Sequence, residues 1–518
     1  MKKSSIKVVV SILVFLGLIL AGLLYFLNYE LEDYVRGKLD EQLDSSWKVN
    51  FQELSVSLFS MSFDVKGLEI SRSDSVGLFW KGSIERASVD GLHPLQILFS
   101  NELIAEAVKL HELEVEMHRF KQEQKSKSKK KSGSMSLVVE TIILNEGRAF
   151  FENDSIGFID SRIEFKTDRI KFDEAFKSPL ELSEKVSLTL SDFRFVNPDS
   201  TGVFRFKKLT KDKSGQLQID SISYSPEMSL KEFSSFHGWR KSRNTIQVQK
   251  IIAELPDLRA DSIYAFSKIR IVEPKVLLEK DFSYGLPDRK TKLPQEMFLA
   301  LGITFDLDSL LVEKGKLEVK LQQKNGLVAE LTLEDISANA GAQNFTQDST
   351  AFHFAGQALA LGGSLLKVQS AYQYGAQNPW DLSGSLADTD LEFLSSFLRK
   401  MAGVEISSGK LNELKFDMEG NNQVNTGVVT FLYDSLSIKA VDKETGEKKV
   451  VLNALADVLG ALVFWKNNPK DGNVRKGNFS IERDVRKAFP SQWIDGLLAG
   501  VIESVAKIDP NKIRKNDK

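Results

Sequence analysis

VKLHELEVEMHRF, residues Val108 to Phe120, decides how the chain is read: Leu113, Val115 and Met117 are interleaved with Glu112, Glu114 and Glu116. Successive side chains on a strand point to opposite faces, so this stretch has one apolar face and one wet face. The alternation continues in both directions. Upstream, Leu54, Val56 and Leu58 alternate with Ser55 and Ser57, then Phe59, Met61, Phe63 and Val65 alternate with Ser60, Ser62, Asp64 and Lys66. The one-residue phase shift between Leu58 and Phe59 predicts a bulge or a strand break. Downstream, Val186, Leu188 and Leu190 form one such series, Leu317, Val319 and Leu321 a second, and Leu327, Ala329, Leu331 and Leu333 a third. A single wet face argues for antiparallel pairing, and the scarcity of helix-length intervals argues against βαβ layering. The expected fold is therefore mostly β.

The opening stretch also recurs. IRIVEPKVLLEKD, Ile269 to Asp281, resembles it 161 residues later. Each copy is followed by a polar, lysine-bearing insertion and then by a similar segment, VETIILNEGRAFF (Val139 to Phe151) and LDSLLVEKGKLEV (Leu307 to Val319). These read as strand–turn–strand units, with Gly147 and Gly315 where a turn needs positive φ. ISSGKLNELKFDMEG, Ile406 to Gly420, repeats the grammar with Gly409. Repetition of one unit points to an elongated sheet built by addition.

The N-terminus carries a different signal. After Lys2, Lys3 and Lys7 comes the uncharged run Val8 to Leu27, long enough at a 1.5 Å rise to cross about 30 Å of hydrocarbon. A cleaved signal peptide has a shorter apolar region and a small-residue cleavage site, and Tyr25 to Tyr29 offer none. The expectation is an uncleaved single-pass anchor with its N-terminus in the cytoplasm by the positive-inside rule, and the bulk of the chain on the other side. Tyr29 to Leu43 reads as a short amphipathic exit helix. Near the other end, Val450 to Phe464 is nearly all apolar and predicts a buried helix. Ile494, Leu497, Leu498, Val501, Ile502, Val505 and Ile508 form a stripe on a closing helix. Core packing is the first reading of that stripe; docking on a membrane or partner is the second.

The chain's 518 residues exceed one ordinary core. Its 69 basic residues nearly cancel its 71 acidic ones, leaving no broad footprint for nucleic acid. Cysteine is absent, which excludes disulfides, thiolate zinc sites and cysteine nucleophiles. No catalytic constellation emerges, so no enzyme, cofactor or metal is expected. GVEISSGKL, Gly403 to Leu411, resembles a phosphate loop, but Leu411 stands where a magnesium-binding hydroxyl belongs, and a strand–turn context suits it better. His111 and His118 sit seven apart, which on a regular strand sends them to opposite faces and away from a shared metal. The run Lys121 to Lys131 reads as a solvated loop; alternatively Lys125, Lys127, Lys129, Lys130 and Lys131 contact anionic headgroups.

The order of these parts resembles the AsmA-like family of bacterial envelope proteins, relatives of TamB and more distantly of the bridge-like lipid-transfer proteins. The segments that carry the likeness are Val49 to Ile70, Gly82 to Arg119, Ile269 to Asp281, Trp380 to Leu398 and Ile406 to Gly420; residues 166–260 are the least familiar. The resemblance implies an elongated, curled antiparallel sheet forming a groove with an apolar concave face. It also implies an inner-membrane anchor, a periplasmic body, short capping helices near both ends, and a link to phospholipid movement and outer-membrane biogenesis.

The expected divisions are a cytoplasmic tail (1–7), the transmembrane anchor (8–27), a first AsmA-like unit (28–165), a connecting β region (166–260), a second unit (261–448) and a helical/β cap (449–518). Groove candidates are Leu113, Val115, Met117, Val276, Leu278, Leu317 and Val319, with phospholipid acyl chains as the ligand. The competing expectation is a scaffold whose closed β core binds an envelope protein partner.

Overall fold

A computed structural model of the chain describes residues 47–57, 60–73, 78–93, 102–119, 136–153, 157–171, 186–199, 201–254, 264–299, 305–341, 343–344, 351–375, 377–443 and 464–506. The predicted anchor, the exit helix, the run Lys121 to Lys131 and most of Val450 to Phe464 lie outside these residues. Among the described residues, no helix is long and apolar enough to cross a membrane. The chain is mostly β and divides into two compact units between Ile219 and Asp220.

In the first unit strands are added in near-sequential order. β3 (Ser62–Ser73) takes β1 (Trp47–Asn50) and β2 (Glu53–Ser57) along one edge and β4 (Leu78–Leu92) along the other. β2 and β3 are separate strands, with Met61 at positive φ between them, so the local phase shift accompanies a strand break. β4 pairs antiparallel with β5 (Glu102–Arg119), and β5 pairs parallel with β6 (Ser136–Asn153). β6 then holds β7 (Gly157–Thr167) and the two-residue β8 (Ile170–Lys171), β7 pairs β9 (Val186–Val196), and β9 pairs β10 (Val203–Lys211). The division between units falls within β11 (Gln216–Ser225).

The second unit repeats that order. β12 (Arg243–Glu254) is antiparallel to β13 (Tyr264–Asp281), and β13 is parallel to β14 (Phe305–Gln322). β14 holds β15 (Val328–Ala340) and the two-residue β16 (Gln343–Asn344), and β15 pairs β17 (Ala351–Ala360). The sheets are thus mixed, not antiparallel throughout. Alternation reports a wet face but not strand direction, and the insertions after β5 and β13 supply the long connection that parallel neighbours need.

Beyond the repeat the strands are antiparallel: β18 (Ser364–Gln373), β19 (Trp380–Leu386), β21 (Val404–Gly420) with the short β20 (Thr389–Asp390), β22 (Val424–Ala440) and β23 (Lys476–Glu482). Helices α1 (Leu230–His237), α2 (Pro294–Leu299), α3 (Ser395–Ala402) and α4 (Pro490–Val505) all belong to this unit. The phosphate-loop lookalike resolves into the Gly403 cap of α3, at φ 70°, followed by β21.

The expected strand–turn–strand segments are single strands. Neither Gly147 nor Gly315 has positive φ; the preceding residues do, Glu146 at 57° and Lys314 at 54°. Each glycine sits at a bulge where the register slips, between Leu144 and Gly147 in β6 and around Gly315 in β14. A Cβ on Gly147 would stand 2.8 Å from the Ile163 carbonyl oxygen, so close approach, not turn geometry, selects glycine there. Glu112 in β5 faces Glu146 in register, and Glu273 in β13 faces Lys314; all four are at positive φ. A line of positive-φ kinks therefore crosses adjacent strands in each unit, with the register slipping only between β6 and β7 and between β14 and β15.

Candidate functional site

The bulge line shapes the apolar face. In β5, Val108 and Leu110 are half-buried; then His111 and Glu112 are both exposed; then Leu113, Val115 and Met117 are half-buried again. The apolar positions move from even to odd, and the extra outward residue at the bulge keeps them on one side of the sheet. β15 does the same around Glu334 and Asp335, with Asp335 at φ 48°. Two consecutive polar residues between alternating runs were the signal for this line, and the hairpin reading obscured it.

All seven groove candidates lie on such faces. Leu113 stands opposite Ile84 on β4, and Val115 and Met117 stand opposite Ala149 and Phe151 on β6. In the second unit Val276 stands opposite Leu317 and Leu278 opposite Val319, and the rows continue to Leu333 and Leu331 on β15. All seven are half-buried, and none belongs to the hydrophobic core cluster of buried residues. The register brings together the candidates of each unit within that unit.

The core is elsewhere. Tyr372, Trp380, Leu382, Phe416, Met418, Val429 and Tyr433, on β18 to β22, are buried together under Phe489 and α4. Leu497, Val501 and Val505 of the closing stripe pack inward, whereas Ile494 and Leu498 face outward at 57% and 49% exposure; Ile508 lies outside the described residues. The apolar face of this region is thus covered. A depression of about 1460 Å³ lies on its opposite side, lined by polar side chains including Lys367, Gln369, Asp381, Ser383, Lys415 and Asp417. The implied apolar concave face does not describe this part of the sheet.

A smaller depression of about 680 Å³ opens on the polar side of the first unit at the bulge line, between Lys66, Glu85, His111, Glu112, Glu146 and Glu164. A hydrogen bond to the Glu85 carboxyl pushes Glu112 above the ordinary carboxylate range. His118 occupies the same wet side as His111, because the bulge at Glu112 resets the alternation; the argument from odd spacing therefore fails. The His118 ring contacts Glu116 (2.7 Å from Nε2) and Glu152 (3.0 Å from Nδ1) and sits 5.4 Å from the Phe150 ring. The Glu116 hydrogen bond, joined by Glu152, raises its pKa against the lowering effect of burial. Among the described residues, no group of acidic or histidine side chains is arranged to hold a metal. Lys125, Lys127, Lys129, Lys130 and Lys131 lie outside the described residues. What the geometry offers among the described residues is a half-buried apolar face bounded by charge.

No protein-family model matches the sequence, and no curated protein matches it significantly.

Proposed function

We propose that the chain is a membrane-anchored envelope protein that binds or conducts phospholipid along the apolar sheet face, in the manner of AsmA-like proteins. The carrying observation is that Val115, Met117, Val276, Leu278, Leu317 and Val319 are half-buried in register-matched rows and are not members of the core cluster, which the Leu317 row reaches only at Leu333. Such a face solvates acyl chains at about 0.8 kcal/mol per CH₂ while headgroups stay in water, and needs no nucleophile or cofactor. The run Val8 to Leu27 supports an inner-membrane anchor with a periplasmic body. The role served is outer-membrane and envelope biogenesis.

A photoreactive amino acid placed at Val115 or Leu317 in the membrane-bound chain tests this. Crosslinks to phospholipid from these positions, and none from the outward Glu114, are expected. Crosslinks to protein alone from both apolar positions would overturn it.

A second reading, a scaffold that binds an envelope protein, is favoured by the closed core under α4 and by the outward Ile494 and Leu498. It predicts partner capture lost on Leu498→Glu, with lipid crosslinks absent throughout.

A further inference from the structure

Helix α1 and the turn after it gather aromatic rings and cations at one end of β12 and β13. Phe233 and Ser234 are buried, so α1 turns its other side to solvent, where Lys231, Ser235 and Phe236 are exposed, Phe236 at 55%. The rings form a continuous series: Phe236 lies 5.0 Å from His237, and His237 lies 6.3 Å from Trp239. Cations cover rings throughout the cluster. Lys241 Nζ stands 5.5 Å from the Phe233 ring centre, the Arg289 guanidinium 5.1 Å from Trp239 and the Arg240 guanidinium 4.0 Å from Phe282. Significant pairs of this kind occur about once per 70–80 residues, so this density marks the site.

The turn is held in place. The Arg240 amide donates to the Gly285 carbonyl at 2.7 Å and its Nε to the Tyr284 carbonyl at 3.1 Å, which ties the Trp239 turn to the segment that carries Arg289. The neighbouring carboxylates are engaged. Glu232 accepts from the Ser229 hydroxyl at 2.8 Å, closing the cap of α1, and Glu279 pairs with Arg243. Asp281 is buried, accepts from the Ser283 amide at 2.8 Å and acts on Arg240; Asp288 acts on Arg486. Lys231 and Arg289 are exposed, and neither has a carboxylate partner among the described residues. What faces outward is a phenyl group without a polar tip, an indole and two cations, the combination that suits the headgroup depth of a bilayer. With cations over Phe233 and Trp239, insertion of Phe236 is favoured over stacking of a base or sugar.

We propose that this part of the second unit, α1 with Trp239 and Arg289, docks on the surface of a bilayer that contains anionic phospholipid. Phe236 enters the interface, Trp239 sits at headgroup depth, and Lys231 and Arg289 meet lipid phosphates there. The attraction between exposed charges weakens with salt. The site uses none of the groove candidates, and docking does not depend on an acyl chain lying along them.

The test holds the full chain in nanodiscs of phosphatidylcholine and floats it with vesicles of phosphatidylcholine alone or mixed with phosphatidylglycerol. Binding to the mixed vesicles should exceed binding to the neutral ones by about tenfold or more and fall as salt rises. Lys231→Gln and Arg289→Gln should each weaken it about fivefold, and Phe236→Asp should abolish it. Lys367→Gln, at an exposed lysine of the polar depression, should change nothing. An equal loss there would mean general charge attraction and overturn the site. Equal binding to both vesicles, or full binding by Phe236→Asp, overturns it as well. Should Phe236→Asp fail to fold, the two charge variants decide: docking unchanged in both overturns the site. A photoreactive amino acid at Phe236 of the full chain identifies the occupant. Crosslinks to phospholipid support the docking, and crosslinks to an acidic protein alone overturn it. Loss of docking should leave lipid crosslinks from Val115 and Leu317 unchanged, so the two readings fail separately.

Discussion

A valine on a half-open face and a valine in a core look alike in an alternating sequence, and a charge separates them. Val429 is fully buried against the core cluster, so Val429→Asp should cost several kcal/mol, about 4 or more, and unfold the second unit. Val115 is half-buried outside that cluster, and Val115→Asp should cost about 1–2 kcal/mol while abolishing lipid crosslinking. Urea unfolding of both variants checks the pair; equal losses would place Val115 in a closed core. His118 adds a pH dependence. Its pKa in the folded chain is raised, so its contribution is fully present below the ordinary imidazole pKa of about 6.5 and is lost as pH rises through the higher folded value. The unfolding midpoint of the wild type should therefore fall across that window, and the matching component should vanish in His118→Gln. That Leu113, Val115 and Met117 share one face was legible because alternation is a local property.

At the scale of one strand, the bulge is the deciding device. A Cβ at Gly147 would stand 2.8 Å from both the Ile163 carbonyl oxygen and Leu144 Cδ2, whereas one at Gly315 would stand 3.2 Å from Ile336 Cβ. Gly147→Ala should therefore destabilise by about 1–3 kcal/mol and Gly315→Ala by less. Gly285→Ala, with nothing within 4 Å of the added carbon, should stay within about 0.5 kcal/mol. Thermal melts of the three variants establish the order, and a neutral Gly147→Ala would mean the strands are free to part there. The duplication was readable from sequence, yet its meaning was not. A polar pair followed by glycine resembles hairpin grammar, and only the neighbouring strands decide whether the chain turns back or bulges and continues. Strand direction was equally hidden, because parallel and antiparallel neighbours present the same alternation.

For the molecule as a whole, the buried core cluster is confined to one part of the chain. α4 closes the core of β22 and β23 through glycines: a Cβ on Gly500 would collide with Val429, and one on Gly477 with the Gly500 carbonyl. Gly500→Val should lift the helix, and hydrogen exchange should show protection lost in β22 and β23 but kept in β5 and β6. Loss of protection in both sets would instead mean that the two units unfold as one. The closing helix was legible from its stripe. Which strands it would cover was not, because coverage depends on an element distant in sequence, and nothing in a strand's own pattern records it.

Removing Glu112 alone would straighten β5 and at the same time turn Leu113, Val115 and Met117 toward water. Oddness and evenness thus act as a lock: a strand can give up its kink only by inverting half of itself. β5, β6, β13, β14 and β15 each bear a copy of that lock, at Glu112, Glu146, Glu273, Lys314 and Asp335.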